Sequence, residues 1–282
     1  MIPWNAYVRL LRLDKPIGIL LLWYPTAWAL WIANHDAPTG DLFIIFLLGT
    51  VLMRSAGCVI NDIADRHIDR HVARTKLRPL TSSEVSLSEA FILLFLLLFT
   101  SLLLLVQLPT ACFYLALIAI FITFIYPFCK RFINVPQIAL GIAFSMGIPM
   151  AFIASGEALN SNLILLFLIN FAWIVAYDTM YAMMDKADDL KIGVKSSAIY
   201  FADFDRLIIA LLQCFSHSLW LLWGIKNSVA WPFYAVWFIS TGILIYQQKL
   251  IHQRIPKNCF RAFLVSNYYG LLMWLAIAVA LF

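Results

Sequence analysis

The sequence predicts an all-α polytopic membrane protein of about nine transmembrane helices, and three observations carry that expectation. Of its 282 residues, 63% are hydrophobic and only 12% are charged, too few charges to cover the surface of a soluble domain. Apolar stretches near residues 16 to 34, 41 to 61, 88 to 107, 110 to 128, 136 to 155, 162 to 184, 206 to 225, 229 to 248 and 262 to 282 each hold about the ~20 residues a helix needs to cross a bilayer. The basic residues fall on alternate loops, as a bundle of antiparallel spans requires. The expected organisation is one transmembrane domain over residues 1–282, with cytoplasmic Asp-rich loop regions at 62–86 and 185–205.

Each span has a local reason. Arg9, Arg12 and Lys15 hold the start of the first on the basic side. The second carries Arg54 and runs into an acidic segment, Asn61-Asp62-Ile63-Ala64-Asp65-Arg66-His67-Ile68-Asp69. Ser86-x-x-Glu89 reads as a capping box that opens the third, and Gln107-Leu108-Pro109-Thr110 supplies the turn chemistry between third and fourth. The fifth is rich in small residues (Gly141, Ala143, Ser145, Gly147, Ala151), and Pro149 is placed to bend it. Such residues serve either close helix packing or a groove for a lipid-like chain. The sixth leads to a second acidic segment, Asp178 followed by Asp185-Lys186-Ala187-Asp188-Asp189. Asp203 or Asp205 is the expected cap of the seventh, in which His217 is positioned to hydrogen-bond to a neighbouring helix. Trp4, Trp231 and Trp237 are candidate interfacial anchors.

With nine alternating spans, Arg66, Arg70, Arg74, Lys76, Arg78, Lys130, Arg131, Lys186, Lys191, Lys195, Arg206, Lys249, Arg254, Lys257 and Arg261 share one side, while the opposite loops hold only Lys226. The positive-inside rule makes that side cytoplasmic, together with the amino terminus. The amino-terminal residues have neither signal-peptide nor transit-peptide character, so a bacterial inner membrane is the expected location. The net charge of +5 then reports topology, and nucleic acid is not an expected partner because the basic residues are dispersed and adjoin acids. Five cysteines at wide spacing, without CxxC, predict neither a disulfide framework nor a zinc site.

Seven of the twelve aspartates lie in the two acidic segments. Carboxylates at the edge of a membrane bundle are costly without a cation or a water-filled cavity. Arg54, Cys58, Asn61, Asp62, Asp65 and Asp69 recur at helical spacing, so one face presents a line of oxygens about 12 Å long from Asn61 to Asp69. Asp178, Tyr181, Asp185 and Asp188 or Asp189 repeat the arrangement. Oxygen-only clusters suit Mg2+, which is held by a few carboxylates together with substrate phosphate oxygens. Two such clusters facing each other, with Lys130, Arg131, Lys191 and Lys195 as candidate cations, would stabilise a departing diphosphate.

The residues also carry a resemblance. Asn61-Asp62-x-x-Asp65-x-x-x-Asp69 with Arg74-Thr75-Lys76-x-Arg78-Pro79-Leu80 resembles the first aspartate-rich motif of the UbiA-type membrane prenyltransferases. Asp178-Thr179-x-Tyr181-Ala182-x-x-Asp185-Lys186-x-Asp188-Asp189-x-x-Ile192-Gly193-x-Lys195-Ser196 resembles the second, in the form that favours 4-hydroxybenzoate as acceptor over naphthoate, homogentisate, haem or chlorophyll precursors. Arg12-Leu13-Asp14-Lys15-Pro16-Ile17-Gly18, Tyr126-Pro127-x-x-Lys130-Arg131 and the segments Pro136-Gln137 and Gly147 to Ala151 agree, so the likeness runs from about residue 9 to 201. It implies an intramembrane prenyltransferase bundle that moves a chain from a polyprenyl diphosphate to the ring carbon beside the hydroxyl of 4-hydroxybenzoate, toward ubiquinone. Asn61, Asp62, Asp65, Asp69, Asp185 and Asp189 would then hold magnesium and diphosphate, with Asp188 as an alternate ligand. Lys130, Arg131 and Lys195 would contact the diphosphate, and Asp178 and Tyr181 would face the substrates.

Arg54 has two readings: a partner for the benzoate carboxylate, or a structural ion pair with Asp62, Asp65 or Asp178. The competing class is a secondary transporter, which also places acids in its spans. Acids gathered at one edge beside cations fit a one-sided reaction chamber better than an alternating path. Isoprenoid length and oligomeric state leave no mark in the sequence, since lipid-facing and partner-facing apolar surfaces look alike.

Overall fold

The computed structural model describes residues 4–71 and 74–281. The first three residues of the amino-terminal stretch, residues 72 and 73 of the 62–86 segment and the last residue of the ninth span lie outside it. The described residues form α1 (Trp4–Leu10), α2 (Ile17–Asn34), α3 (Gly40–Asp65), α4 (Leu87–Leu105), α5 (Thr110–Phe132), α6 (Gln137–Ser145), α7 (Gly147–Ala154), α8 (Ser161–Ile192), α9 (Ser197–Tyr200), α10 (Asp205–Lys226), α11 (Trp231–Ile251) and α12 (Pro256–Leu281), with no strand among them. Eight stretches are long and apolar enough to cross a membrane: α2, α3, α4, α5, α6 with α7, α8, the run Ala202–Lys226, and α12. The remaining expected span, the eighth, is present as α11, a 21-residue helix made less apolar by Ser240, Thr241, Gln247, Gln248 and Lys249.

Local chemistry sets the boundaries. The Ser86–Glu89 capping box forms in both directions at the start of α4. The fifth span breaks in two at Met146. Pro149, which has no N–H to return to the Ser145 carbonyl, accounts for the interruption. Residues 185–192, expected in a loop region, instead continue α8 by about two turns. Gly193 then ends the helix in the left-handed conformation (φ 73°), its N–H bonded to the Asp189 carbonyl. The expected cap of α10 by Asp203 or Asp205 is not formed: Phe204 takes the cap position without a side-chain bond. Asp205 turns its carboxylate instead to the Arg206 N–H and the Arg254 guanidinium, each at 2.7 Å.

In lipid the hydrophobic effect does not drive helix against helix; close packing and interhelical hydrogen bonds do. α2 and α8 form the centre, with α3, α7 and α12 around the first and α6, α10 and α12 around the second. Trp28, Trp173, Trp220, Trp223, Phe233 and Tyr269 fill the core, and the Trp28 indole N–H reaches the Gly270 carbonyl at 3.1 Å. The absence of a side chain at Gly270 permits this approach: a Cβ there would lie 2.5 Å from the Tyr24 ring. His217 bridges helices as expected, 3.2 Å from the Tyr269 hydroxyl and 2.9 Å from Thr241 Oγ1. Trp237 stacks on its imidazole at 4.4 Å and donates to its carbonyl, a packing residue rather than an anchor. Trp4 and Trp231 are exposed at helix ends. α4 buries only Ala90 and Leu94, which makes it the most lipid-facing of the long helices by its own residues.

Candidate active site

The carboxyl-terminal ends of α3, α5 and α8 converge, and a cavity of about 600 Å³ opens between them and α2, α6 and α12. Of the residues singled out in the sequence, Arg54, Asn61, Asp62, Asp65, Asp69, Lys130, Asp178, Tyr181, Asp185, Asp189 and Lys195 line this cavity. Helical spacing brings this about: the last turns of α3 stack Arg54, Asn61, Asp62 and Asp65 toward it, a 3-10 turn Asp69–His71 adds Asp69, and α8 presents Asp178, Tyr181, Asp185 and Asp189 from the other side.

Three singled-out residues go elsewhere. Asp188 leaves the cavity face and meets Lys191 at 3.2 Å. Arg131 lies outside too, over the Phe128 ring at 5.1 Å, donating to the Ala64 carbonyl at 3.1 Å. Lys191, a third candidate cation, pairs only with Asp188 among the described ion pairs. The small residues of the fifth span mostly pack: a Cβ at Gly141 would strike Phe171 and one at Gly147 would strike Thr26, while Ser145 accepts from Asn170 at 2.8 Å. Of that set only Ala143 lines the cavity, whose apolar wall comes instead from Ile17, Leu21, Leu140, Phe144 and Phe263.

Each buried acid facing the cavity from α3 has a cation. Arg12 places one nitrogen 3.0 Å from both oxygens of Asp62. Arg78 bridges Asp62 at 3.0 Å and Asp69 at 2.7 Å, and Lys130 pairs with Asp65. Across the cavity Arg74 grips Asp185 in a bidentate pair of 3.1 and 2.7 Å and covers the Tyr181 ring at 5.2 Å. Burial opposes the charge on Arg78, but the Asp62 and Asp69 carboxylates outweigh it and hold its pKa above the ordinary guanidinium value. Asp62, Asp65 and Asp69 are all at most 5% exposed, and buried carboxylates are tolerated only when paired in this way.

Some polar atoms in the cavity have no partner. Asp65 Oδ1, Arg54 Nε and the Tyr177 hydroxyl are buried without a hydrogen bond. Arg54 meets no carboxylate within ion-pair distance among the described residues; it lies over Phe144 at 5.6 Å. Its guanidinium occupies the space a side chain at Gly18 would take, 2.5 Å from a Cβ placed there. The structural ion pair offered as one reading of Arg54 is therefore not formed. Among the described residues no three His, Cys, Asp or Glu side chains are grouped to hold a metal ion by themselves. Mg2+ needs no such cage, because one or two carboxylates suffice when substrate phosphates complete the shell. The all-oxygen donor set and the orphaned Asp65 oxygen fit that ion.

Sequence reasoning assigned no role to Arg12, Arg74, Arg78 or Tyr126, all of which line the cavity. The signal was present for all four: Arg74 and Arg78 follow the first acidic segment at fixed spacing, Arg12 opens the segment that ends at Gly18, and Tyr126 opens the one that ends at Arg131.

The family model for UbiA prenyltransferases matches residues 22–277. The chain belongs to the UbiA prenyltransferase family. A protein of Legionella pneumophila (strain Paris), named 4-hydroxybenzoate octaprenyltransferase, is 75% identical over 281 residues, covering 100% of both chains. One of the same name from Edwardsiella ictaluri is 49% identical over 279 residues, covering 99% of this chain and 97% of its own. The UbiA fold is seen in solved structures as well. A UbiA homolog from Aeropyrum pernix K1 superposes with a TM-score of 0.80 at 22% identity, covering 93% of this chain and 97% of that one. A UbiA homolog from Archaeoglobus fulgidus, bound to GPP and Mg2+, gives 0.73 at 18% identity, covering 97% and 99%. These likenesses establish the fold, a multi-pass membrane bundle.

Proposed function

We propose that this chain transfers a polyprenyl chain from a polyprenyl diphosphate to the ring carbon ortho to the hydroxyl of 4-hydroxybenzoate, a step toward ubiquinone. The names of the Legionella and Edwardsiella relatives extend the proposal to an octaprenyl donor. The observation that carries it is the meeting of two acidic helix faces, each already matched with basic side chains, around one cavity that also has an apolar wall.

Asn61, Asp62, Asp65 and Asp69 on one side, and Asp185 and Asp189 on the other, would hold Mg2+. Bound there, the ion supplies positive charge to the diphosphate oxygens and so favours departure of the leaving group. Arg12, Arg74, Arg78, Lys130 and Lys195, which line the cavity, would gather phosphate oxygens there. The bond between the allylic carbon and the diphosphate oxygen breaks with its electrons leaving on oxygen. The π faces of Tyr126, Tyr177 and Tyr181, which line the cavity, stabilise the allylic cation. The ring carbon beside the phenol attacks that cation, and the ring proton passes to Asp185 or to the departing diphosphate. Arg54, with an unpartnered Nε and no carboxylate within ion-pair distance among the described residues, receives the benzoate carboxylate. The apolar wall takes the isoprenoid.

The distribution of basic residues supports an inner-membrane setting with the amino terminus and both acidic faces cytoplasmic. The test of the activity is product formation by purified protein in lipid, from radiolabelled 4-hydroxybenzoate and all-trans octaprenyl diphosphate, with magnesium or with EDTA. Magnesium-dependent octaprenylated product is expected. Prenylation of a different aromatic acceptor in its place would keep the family and overturn the acceptor.

A further inference from the structure

Beside the main cavity lies a second cleft of about 590 Å³, where the ends of α3, α5 and α8 meet. Arg66, His67 and Arg131 line it, and no acidic side chain does among the described residues. The two spaces share a wall, since Ile68, Ile192 and Val194 face both. Neighbouring residues are divided between them. Lys130 lines the main cavity and Arg131 the cleft; Asp65 lines the main cavity and Arg66 the cleft. A step of one residue turns a helix by about 100°, so the ends of α3 and α5 each serve both spaces.

The cleft is prepared for an anion. Arg66 spends one donor on the Ile63 carbonyl at 3.3 Å, and Arg131 one on the Ala64 carbonyl at 3.1 Å. A guanidinium carries five N–H donors, so most remain. Neither group meets a carboxylate among the described residues, because Asp62, Asp65 and Asp69 are paired with Arg12, Arg78 and Lys130. Stacking of Arg131 on Phe128 holds its guanidinium at the cleft.

We infer that this cleft is a station for inorganic diphosphate leaving the reaction chamber for water. The inference rests on the proposed reaction, which frees one diphosphate per transfer. A highly charged product surrounded by five cations leaves slowly unless other cations receive it. Arg66 and Arg131 stand next along the way, behind an apolar partition of three residues. The shared wall favours diphosphate over a lipid headgroup, which would not need access to the chamber.

The test uses the full chain in nanodiscs of zwitterionic lipid with magnesium. Equilibrium dialysis against radiolabelled inorganic diphosphate should give two bound per wild-type chain and one per Arg66→Gln/Arg131→Gln chain. One per wild-type chain, or two per variant, would overturn the inference. The Arg66→Lys/Arg131→Lys variant keeps the charges and should restore the second site, which separates loss of the site from misfolding. Anionic phospholipid added to the discs should leave the count at two; displacement of one diphosphate would assign the cleft to headgroups and reject it as an exit station. In turnover, the Gln variant should keep its first-turnover rate within about twofold while later turnovers slow by about threefold or more, as expected when product release limits the rate. A slowed first turnover would put Arg131 in the chamber and refute the inference. Dialysis requires no prenyl transfer, so a wild type that binds two diphosphates but prenylates nothing would sink the proposed reaction while the second site stood.

Discussion

Arg12 and Asp62, fifty positions apart in the chain, are joined by one guanidinium nitrogen 3.0 Å from each carboxylate oxygen. The contact depends on an unusual backbone: Arg12 follows α1 with φ 57°, the left-handed region, which costs a residue with a Cβ about 1 kcal/mol or more. The strained turn is what aims the side chain back at the end of α3. Arg12→Ala removes the guanidinium but keeps the strain, whereas Arg12→Gly removes both. Both variants should lose about tenfold or more in kcat/KM for the diphosphate donor, the worth of a charge-assisted contact. Arg12→Gly should nonetheless be more stable than Arg12→Ala by about 1 kcal/mol, read from thermal midpoints in detergent. Equal stabilities would show that the left-handed turn carries no strain.

The two acidic faces should be needed together. Asp62→Ala empties the centre of the first, where Arg12 and Arg78 converge, and Asp185→Ala frees Arg74 on the second. Each should lower turnover in magnesium by about a hundredfold or more, as removal of an electrostatic stabiliser at a leaving group does. EDTA should reduce the wild type to background. Near-normal turnover by either variant would remove that face from the reaction.

Packing at the centre of the bundle gives a stability prediction independent of chemistry. A methyl group at Gly270 would lie 2.5 Å from the Tyr24 ring and 3.0 Å from Trp173, so Gly270→Ala should destabilise by about 1–3 kcal/mol, the range for overpacking. Gly242, within α11, has nothing within 4 Å of its Cβ position. Gly242→Ala should therefore be neutral or stabilising by up to about 1 kcal/mol from helix propensity. Thermal unfolding of the pair in one detergent decides it; a Gly270→Ala midpoint equal to wild type would mean that the tryptophan core yields freely.

The spans and both acidic faces were readable because long apolar runs and a spacing of three or four residues each have one structural solution. Finer assignments failed where the helix wheel is ambiguous. Around α8, Asp188 and Asp189 both lie within about 60° of the stripe formed by Asp178, Tyr181 and Asp185, but on opposite sides of it, and only the packing of α8 decides that Asp189 faces the cavity while Asp188 meets Lys191. Lys130 and Arg131 look alike as neighbours in a chain, yet α5 points them into different cavities. Arg12 stood out only as part of a longer segment; its partner is set by a positive φ and a contact across fifty positions, neither of which has a local signature.

Gly18 and Arg54 offer the sharpest test of acceptor recognition. The Arg54 guanidinium lies where a side chain at Gly18 would project, with Nε 2.5 Å and Nη2 2.6 Å from the Cβ position. It is held over Phe144, its Nε without a hydrogen bond and no carboxylate within ion-pair distance among the described residues. If Arg54 receives the benzoate, Arg54→Lys keeps the charge but loses the planar fork. The KM for 4-hydroxybenzoate should then rise about tenfold or more, with the donor KM unchanged. Gly18→Ala should act on the same parameter without touching the arginine itself, because the guanidinium must shift to admit the methyl group; a rise of several-fold, about 1 kcal/mol, is expected. Since both substitutions disturb one contact, the double variant should show much less than the sum of the two effects. Full additivity, or a change in donor KM in place of acceptor KM, would remove Arg54 from the acceptor site and assign it to holding α2 against α3.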